Sequence, residues 1–290
     1  MLSSFKIITD SASDLPREFL LQNDIGVVPF YITIDGNTYL KDQLEITSQE
    51  FYNIQRERKQ FFKTSMPSAQ DYADEFNKCS PHTDILCFCL SSGLSGSSQG
   101  AINAANAAMD ENPGRSVIVV DSLSASLGYG LKILEAIKCR DKGMTLEQTV
   151  LALSKHRAEV ALAVDTLEYL QMGGRVGKAS ALAGGLLNIK PIIKVADGVL
   201  SPHSKVRGRS KAVSKLLEIL DEGIGSSSNE FSIGVIHTDC REDAEAFRDQ
   251  IESKYGIKGQ VRLEEVGLVI GVHVGPKVLA LCFVRKNPDI

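Results

Sequence analysis

Short apolar runs, each followed by a segment of helical length, recur along this sequence, and that alternation limits the fold more than any other feature. Lys6–Asp10, Ile85–Leu90 and Ser116–Asp121 are runs of strand length, and helices are predicted near Pro67–Cys79, Ser97–Met109, Ser124–Arg140 and Thr145–Glu159. Strands that read as continuous apolar stretches are covered on both faces, and strands alternating with helices of about 10 to 15 residues pair in parallel. The expected fold is α/β, with a mainly parallel sheet in the first part covered by helices on both faces. Ile25–Asp35 is rich in β-branched and aromatic residues, Asp35-Gly36 predicts a hairpin turn, and Tyr39 and Leu40 begin the return. A helix is expected over Ser48–Arg58.

A second α/β block starts at Val160. It reads as a strand to Asp165, helices near Thr166–Gln171 and Ala179–Leu187, and a hairpin over Ile192–Leu200 turning at Asp197-Gly198. A helix near Ser210–Leu220, a strand at Phe231–His237, a helix ending near Lys254 and strands near Val261–Val266 and Val278–Arg285 complete it. The boundary falls near Ala158, giving domains 1–158 and 159–290. At 290 residues and 43% hydrophobic content the chain can bury two cores.

Charge and composition remove several functions. A formal net charge of −4 gives no concentrated basic surface for phosphate backbones, so nucleic acid is not an expected partner. No stretch approaches the roughly 18 to 20 apolar residues of a membrane helix, and Met1–Ser13 lacks the apolar core of a signal peptide. The expected location is the cytoplasm. The six cysteines include no C-x-x-C pair, and Cys87 and Cys89 alternate as two small hydrophobes on one strand face. No metal or cofactor is expected.

Motifs of self-sufficient enzymes come close and fail. Gly93-Leu94-Ser95-Gly96-Ser97 has serine where the hydrolase elbow needs its last glycine. In Gly173-Gly174-Arg175-Val176-Gly177-Lys178-Ala179 the first glycine is one residue too near for a phosphate loop, and alanine replaces the magnesium-binding hydroxyl. Gly128-Tyr129-Gly130 lacks the third glycine of a dinucleotide fingerprint, and the five histidines form no H-x-x-x-H pair.

Two hydroxyl-rich segments remain. Thr64-Ser65-Met66-Pro67-Ser68 lies before a helix, and Ser91-Ser92-Gly93-Leu94-Ser95-Gly96-Ser97-Ser98 joins a buried strand to the next helix. Each can be read as helix capping. Loops at the carboxyl ends of parallel strands also converge on the ligand crevice, where helix N-termini offer N–H groups to an anion such as a carboxylate. Asp10 and Ser11, after the first strand, read as capping residues, and Tyr169 and Leu170 as core by helical spacing.

These segments belong to a series that resembles the DegV family of bacterial fatty-acid-binding proteins, which includes the FakB subunits of fatty acid kinase. The series comprises Asp10-Ser11-Ala12-Ser13-Asp14-Leu15, Thr64–Ser68, Ser91–Gly96, Thr166–Leu170 with Gly173-Gly174-Arg175, Asn188-Ile189-Lys190-Pro191, Asp197-Gly198, Lys205-Val206-Arg207 and Gly271-Val272-His273-Val274-Gly275-Pro276. It runs in order over nearly the whole chain. The resemblance implies two α/β domains enclosing a long-chain fatty acid, its carboxylate held by Thr64 and Ser95 with His273 nearby. It also implies a partner: a separate fatty acid kinase supplying ATP and Mg²⁺, to which this chain presents the acid. Arg175, Lys205, Arg207, Arg209 and Lys211 are the candidate docking cations, the other reading being a solvated basic helix start. Met66, Ser97-Ser98 and Lys277 depart from residues frequent in the family, and none of them removes a carboxylate contact. The competing reading is a small-molecule kinase or hydrolase subunit acting covalently through Ser95 or His273, which would need a base within reach of the serine.

Overall fold

The computed structural model describes residues 5–33, 35–58, 61–155, 157–183 and 188–287. The first part contains β1 (Lys6–Asp10), α1 (Arg17–Gln22), β2 (Ile25–Val28), β3 (Tyr31–Thr33), β4 (Tyr39–Lys41), α2 (Ser48–Arg58), β5 (Lys63–Ser65) and α3 (Ala69–Phe76). It continues through β6 (Ile85–Cys89), α4 (Ser97–Glu111), β7 (Val117–Asp121), α5 (Leu127–Asp141) and α6 (Leu146–Ser154). The second part follows with β8 (Ala158–Ala163), α7 (Glu168–Met172), β9 (Ile189–Ala196), β10 (Val199–Arg207) and α8 (Arg209–Ile224). After these come β11 (Phe231–His237), α9 (Arg241–Tyr255), β12 (Val261–Glu265), α10 (Leu268–Val274) and β13 (Leu279–Arg285).

The apolar runs β1, β6 and β7 form, with β2, a parallel sheet in the order β2-β1-β6-β7. Alternation along the strands sends Ile8, Cys87 and Cys89 to a core shared with α3 and α4, while Ile7, Leu86 and Phe88 face the larger core that α5 joins. The second sheet has six strands in the order β10-β9-β8-β13-β11-β12, and only β11 with β12 is parallel. Ala161, Ala163, Val235 and Leu281 pack under α8 and α9 on one face. The other face turns Val160, Leu162, Ile236 and Ala280 toward the first part. Among the described residues, no helix is long and apolar enough to cross a membrane.

Two expectations need correction. Ile25–Asp35 is not one strand: β2 ends at Val28, Pro29 has no N–H for a ladder, and the Phe30 N–H donates to Ser11 Oγ (3.1 Å). The chain then enters a third, antiparallel sheet, β4-β3-β5, in which β3 and β4 form the hairpin expected around Asp35-Gly36, while β5, three residues long, was not foreseen. The helix expected over Ala179–Leu187 is a 3-10 turn over Gly177–Leu182, and residues 184–187 lie outside the described part.

Candidate functional site

Between the second sheet and the carboxyl edge of the first lies a cavity of about 310 Å³. Its walls are mostly aliphatic: Leu162, Ile236 and Ala280 from the sheet, Val269 and Val274 from α10, Leu90 and Leu94 from the loop after β6. Thr64, Ser95, Arg175 and His273 are polar members of the same lining. A large apolar pocket with a few convergent polar groups is the usual form of a small-molecule site.

Each polar residue reaches the cavity through a different element. Thr64 is the middle residue of β5, paired with Ile32 of β3, so it belongs to a strand and not to the helix end that its neighbours suggested. His273 lies in the last turn of α10, not in the Gly/Pro turn after it. That helix is anchored on α2: the Tyr52 hydroxyl donates to the Val266 carbonyl (3.2 Å), and only a glycine at 271 leaves room for the Tyr52 ring. The two meet with Thr64 Oγ1 2.8 Å from His273 Nε2, across 209 residues of sequence. Burial, with the nearby Arg175 charge, holds the His273 pKa down at about 4, so the imidazole is neutral at pH near 7. Its Nδ1 is buried without a partner, against Gly173.

Ser95 sits in the turn entering α4, where its Oγ accepts the Ser97 N–H (3.2 Å) while its own N–H donates to the Ser91 carbonyl (3.0 Å). Ser95 precedes the N-cap, Gly96, and the N–H it accepts leaves its hydroxyl proton available to the cavity. Ser95 has no hydrogen bond to His273, whose Nε2 is occupied by Thr64, so no serine–base pair is formed. Arg175 donates to the carbonyls of Gly173 (2.7 Å) and Leu94 (3.5 Å), tying the loop below His273 to the loop bearing Ser95.

Of the other proposed docking cations, Arg207 ends β10, and Lys211 stands on the first turn of α8; both are exposed. Lys205 donates to the Ala183 carbonyl (3.3 Å). Arg209 is engaged internally, with Asp243 (2.9 Å) and the Lys277 carbonyl (2.8 Å). Among the described residues no cluster of His, Cys, Asp or Glu is arranged to hold a metal ion.

One residue was misread from sequence. Asp10 does not cap a helix; it is fully buried, accepting the Leu90 N–H (2.8 Å), the Ser97 hydroxyl (3.4 Å) and the Tyr129 hydroxyl (2.5 Å). It therefore anchors both ends of the Ser91–Ser98 segment, and burial outweighs these bonds to push its pKa up to about 6. Leu170 is buried in the main core, as helical spacing predicted, and also lines the cavity.

With this geometry in place, comparison with known proteins decides the family. A family model described as "Uncharacterised protein, DegV family" matches residues 4–286. The chain belongs to the DegV family. A DegV domain-containing protein of Clostridium acetobutylicum is 33% identical over 98% of this DegV chain and all of that protein. Among solved structures, a stearic-acid-binding protein from Eubacterium ventriosum has a TM-score of 0.89 at 30% identity, covering 99% of this chain and 100% of that one. A fatty-acid-binding DegV family protein from Thermus thermophilus has a TM-score of 0.85 at 31% identity, covering 98% and 99%.

Proposed function

We propose that this protein encloses a long-chain fatty acid in the cavity and presents its carboxylate, in the cytoplasm, to a separate kinase that supplies ATP and Mg²⁺. The observation that carries the reading is an aliphatic cavity whose lining includes a hydroxyl–imidazole pair, in a family whose solved members bind fatty acids. Burying about 15 methylenes at about 0.8 kcal/mol each gives a gross gain near 12 kcal/mol, before the cost of immobilising the chain. Each hydroxyl bond to the head group adds about 1 kcal/mol. The tail sets affinity and the polar residues set orientation.

His273 decides which way Thr64 points. Its Nδ1 has no partner, and an unpaired buried acceptor is more readily tolerated than an unpaired N–H. The ring proton is therefore on Nε2, donating to Thr64 Oγ1, and the Thr64 hydroxyl is left to donate to a carboxylate. Ser95, having accepted the Ser97 N–H, donates likewise. Arg175 gives two of its five N–H donors to backbone carbonyls and is exposed. A carboxylate held by neutral hydroxyls, rather than by a bidentate guanidinium clamp, keeps the electron density needed to attack a phosphoryl group. The exposed cations Arg175, Lys205, Arg207 and Lys211 form the docking face for the kinase.

The division of labour is tested by adding ATP and Mg²⁺ to the loaded protein with and without a bacterial fatty acid kinase. Acyl phosphate is expected only with the kinase; phosphorylation of the fatty acid by this chain alone would overturn the reading.

A further inference from the structure

The aliphatic part of the cavity wall carries one polar group. Thr64, Ser65, Ser95, Arg175 and His273 belong to the head-group end, and among the other described lining residues only Ser126 has a polar side chain. Its hydroxyl donates to Asp14 (2.5 Å), and Asp14 lies against Gly267, the residue before α10. His273 stands six residues further along that helix, about 9 Å at 1.5 Å per residue. A tail that fills the cavity therefore meets Ser126 partway along its length and not at its carboxylate.

Two local features set this serine apart. It is the N-cap of α5, where a serine ordinarily accepts an N–H of the first turn, yet its side chain makes no cap hydrogen bond. Its backbone has φ 56° and ψ −146°, a combination that glycine adopts freely and a serine only under strain. Neither the cap nor the backbone calls for serine here, and strained residues of this kind gather at ligand sites. The bond to Asp14, itself buried, fixes the side-chain rotamer and uses the hydroxyl proton. Acceptor capacity is left on Oγ, because a hydroxyl oxygen has two lone pairs.

We propose that Ser126 accepts a hydrogen bond from a hydroxyl carried partway along the acyl chain, so that hydroxy fatty acids are among the ligands of this cavity. This inference rests on the fatty-acid reading above. Elsewhere along the aliphatic wall a tail hydroxyl is buried without a partner, which weakens binding about thirtyfold. At Ser126 it is paired, and most of that loss is recovered. A few placed polar groups in a mostly apolar pocket are what fix a ligand's identity and orientation.

The test is to measure dissociation constants for stearic acid and for hydroxystearic acids with the hydroxyl moved stepwise along the chain, on wild type, Ser126→Gly and Ser126→Ala, with a thermal melt of each. Among the mid-chain isomers, wild type is expected to bind one position, or two adjacent ones, about tenfold more tightly than the rest. Ser126→Gly, which suits the backbone, and Ser126→Ala are expected to erase that preference. Should neither variant fold, the ranking on wild type decides. Equal affinity of wild type for every mid-chain isomer overturns the assignment, as does a folded variant that keeps the preference. Wild type that binds neither stearic acid nor any hydroxystearic acid overturns the reading beneath it instead.

Discussion

Gly173→Ala perturbs the head-group site without removing any of its chemical groups. Gly173 has a φ of −73°, which alanine adopts without strain, so the only new feature is a methyl group. That Cβ would lie 2.1 Å from His273 Nδ1, 2.9 Å from Cε1 and 3.3 Å from Cγ. The ring must retreat by about 1.3 Å to reach ordinary contact, and its 2.8 Å bond to Thr64 cannot survive a shift of that size. Losing the bond that orients the Thr64 hydroxyl should weaken fatty-acid binding by about 1 kcal/mol, roughly fivefold. Kinase-dependent acyl phosphate formation should fall further, about a hundredfold, because reacting groups tolerate little displacement. Displacement of a fluorescent fatty acid measures the first, and single-turnover transfer with the kinase measures the second. A folded Gly173→Ala protein that binds and transfers at wild-type rates would refute the role given to the Thr64–His273 pair.

Thr64→Ala and Ser95→Ala should each lower fatty-acid affinity by about 1 to 2 kcal/mol while lipid still co-purifies, with transfer reduced more than binding. Full occupancy and full transfer in both would place the carboxylate elsewhere. Asp10 should give a distinct pH signature: its carboxyl is raised to about 6 in the fold against a usual 3.8, so its favourable contribution is complete at low pH and is lost as pH rises through about 6. Asp10→Asn lacks that titration, and its stability relative to wild type should improve by about 2 kcal/mol between about pH 4 and about pH 8. Urea melts across that range check the sign, and a constant difference would contradict it.

The parallel sheet was legible because β1, β6 and β7 are continuous apolar runs set between helical segments, a pattern few other folds bury. Of the third sheet, the β3–β4 hairpin was legible from Asp35-Gly36, but β5 was not, since a three-residue strand such as Lys63–Ser65 carries no periodicity. Thr64, Ser95 and His273 entered through family motifs, and hydroxyl-rich composition alone left Ser95 divided between cap and site; the structure shows it lining the cavity while accepting the Ser97 N–H. The Thr64–His273 contact joins β5 to α10, and no local pattern encodes a pairing of that separation. Asp10 was read as a cap because an aspartate after a strand usually is one. Its partners Tyr129, Leu90 and Ser97 are distant in sequence and adjacent only in the fold.

What fills the cavity decides the function of the protein. Mass spectrometry under native conditions, followed by extraction and chromatography of whatever the purified protein carries, tests this directly. A noncovalent fatty acid of about 14 to 18 carbons, near one per chain, is the predicted result, given the burial energy of such a tail. Protein purified without extraction that carries no lipid would contradict it, as would an adduct bonded to Ser95 or His273.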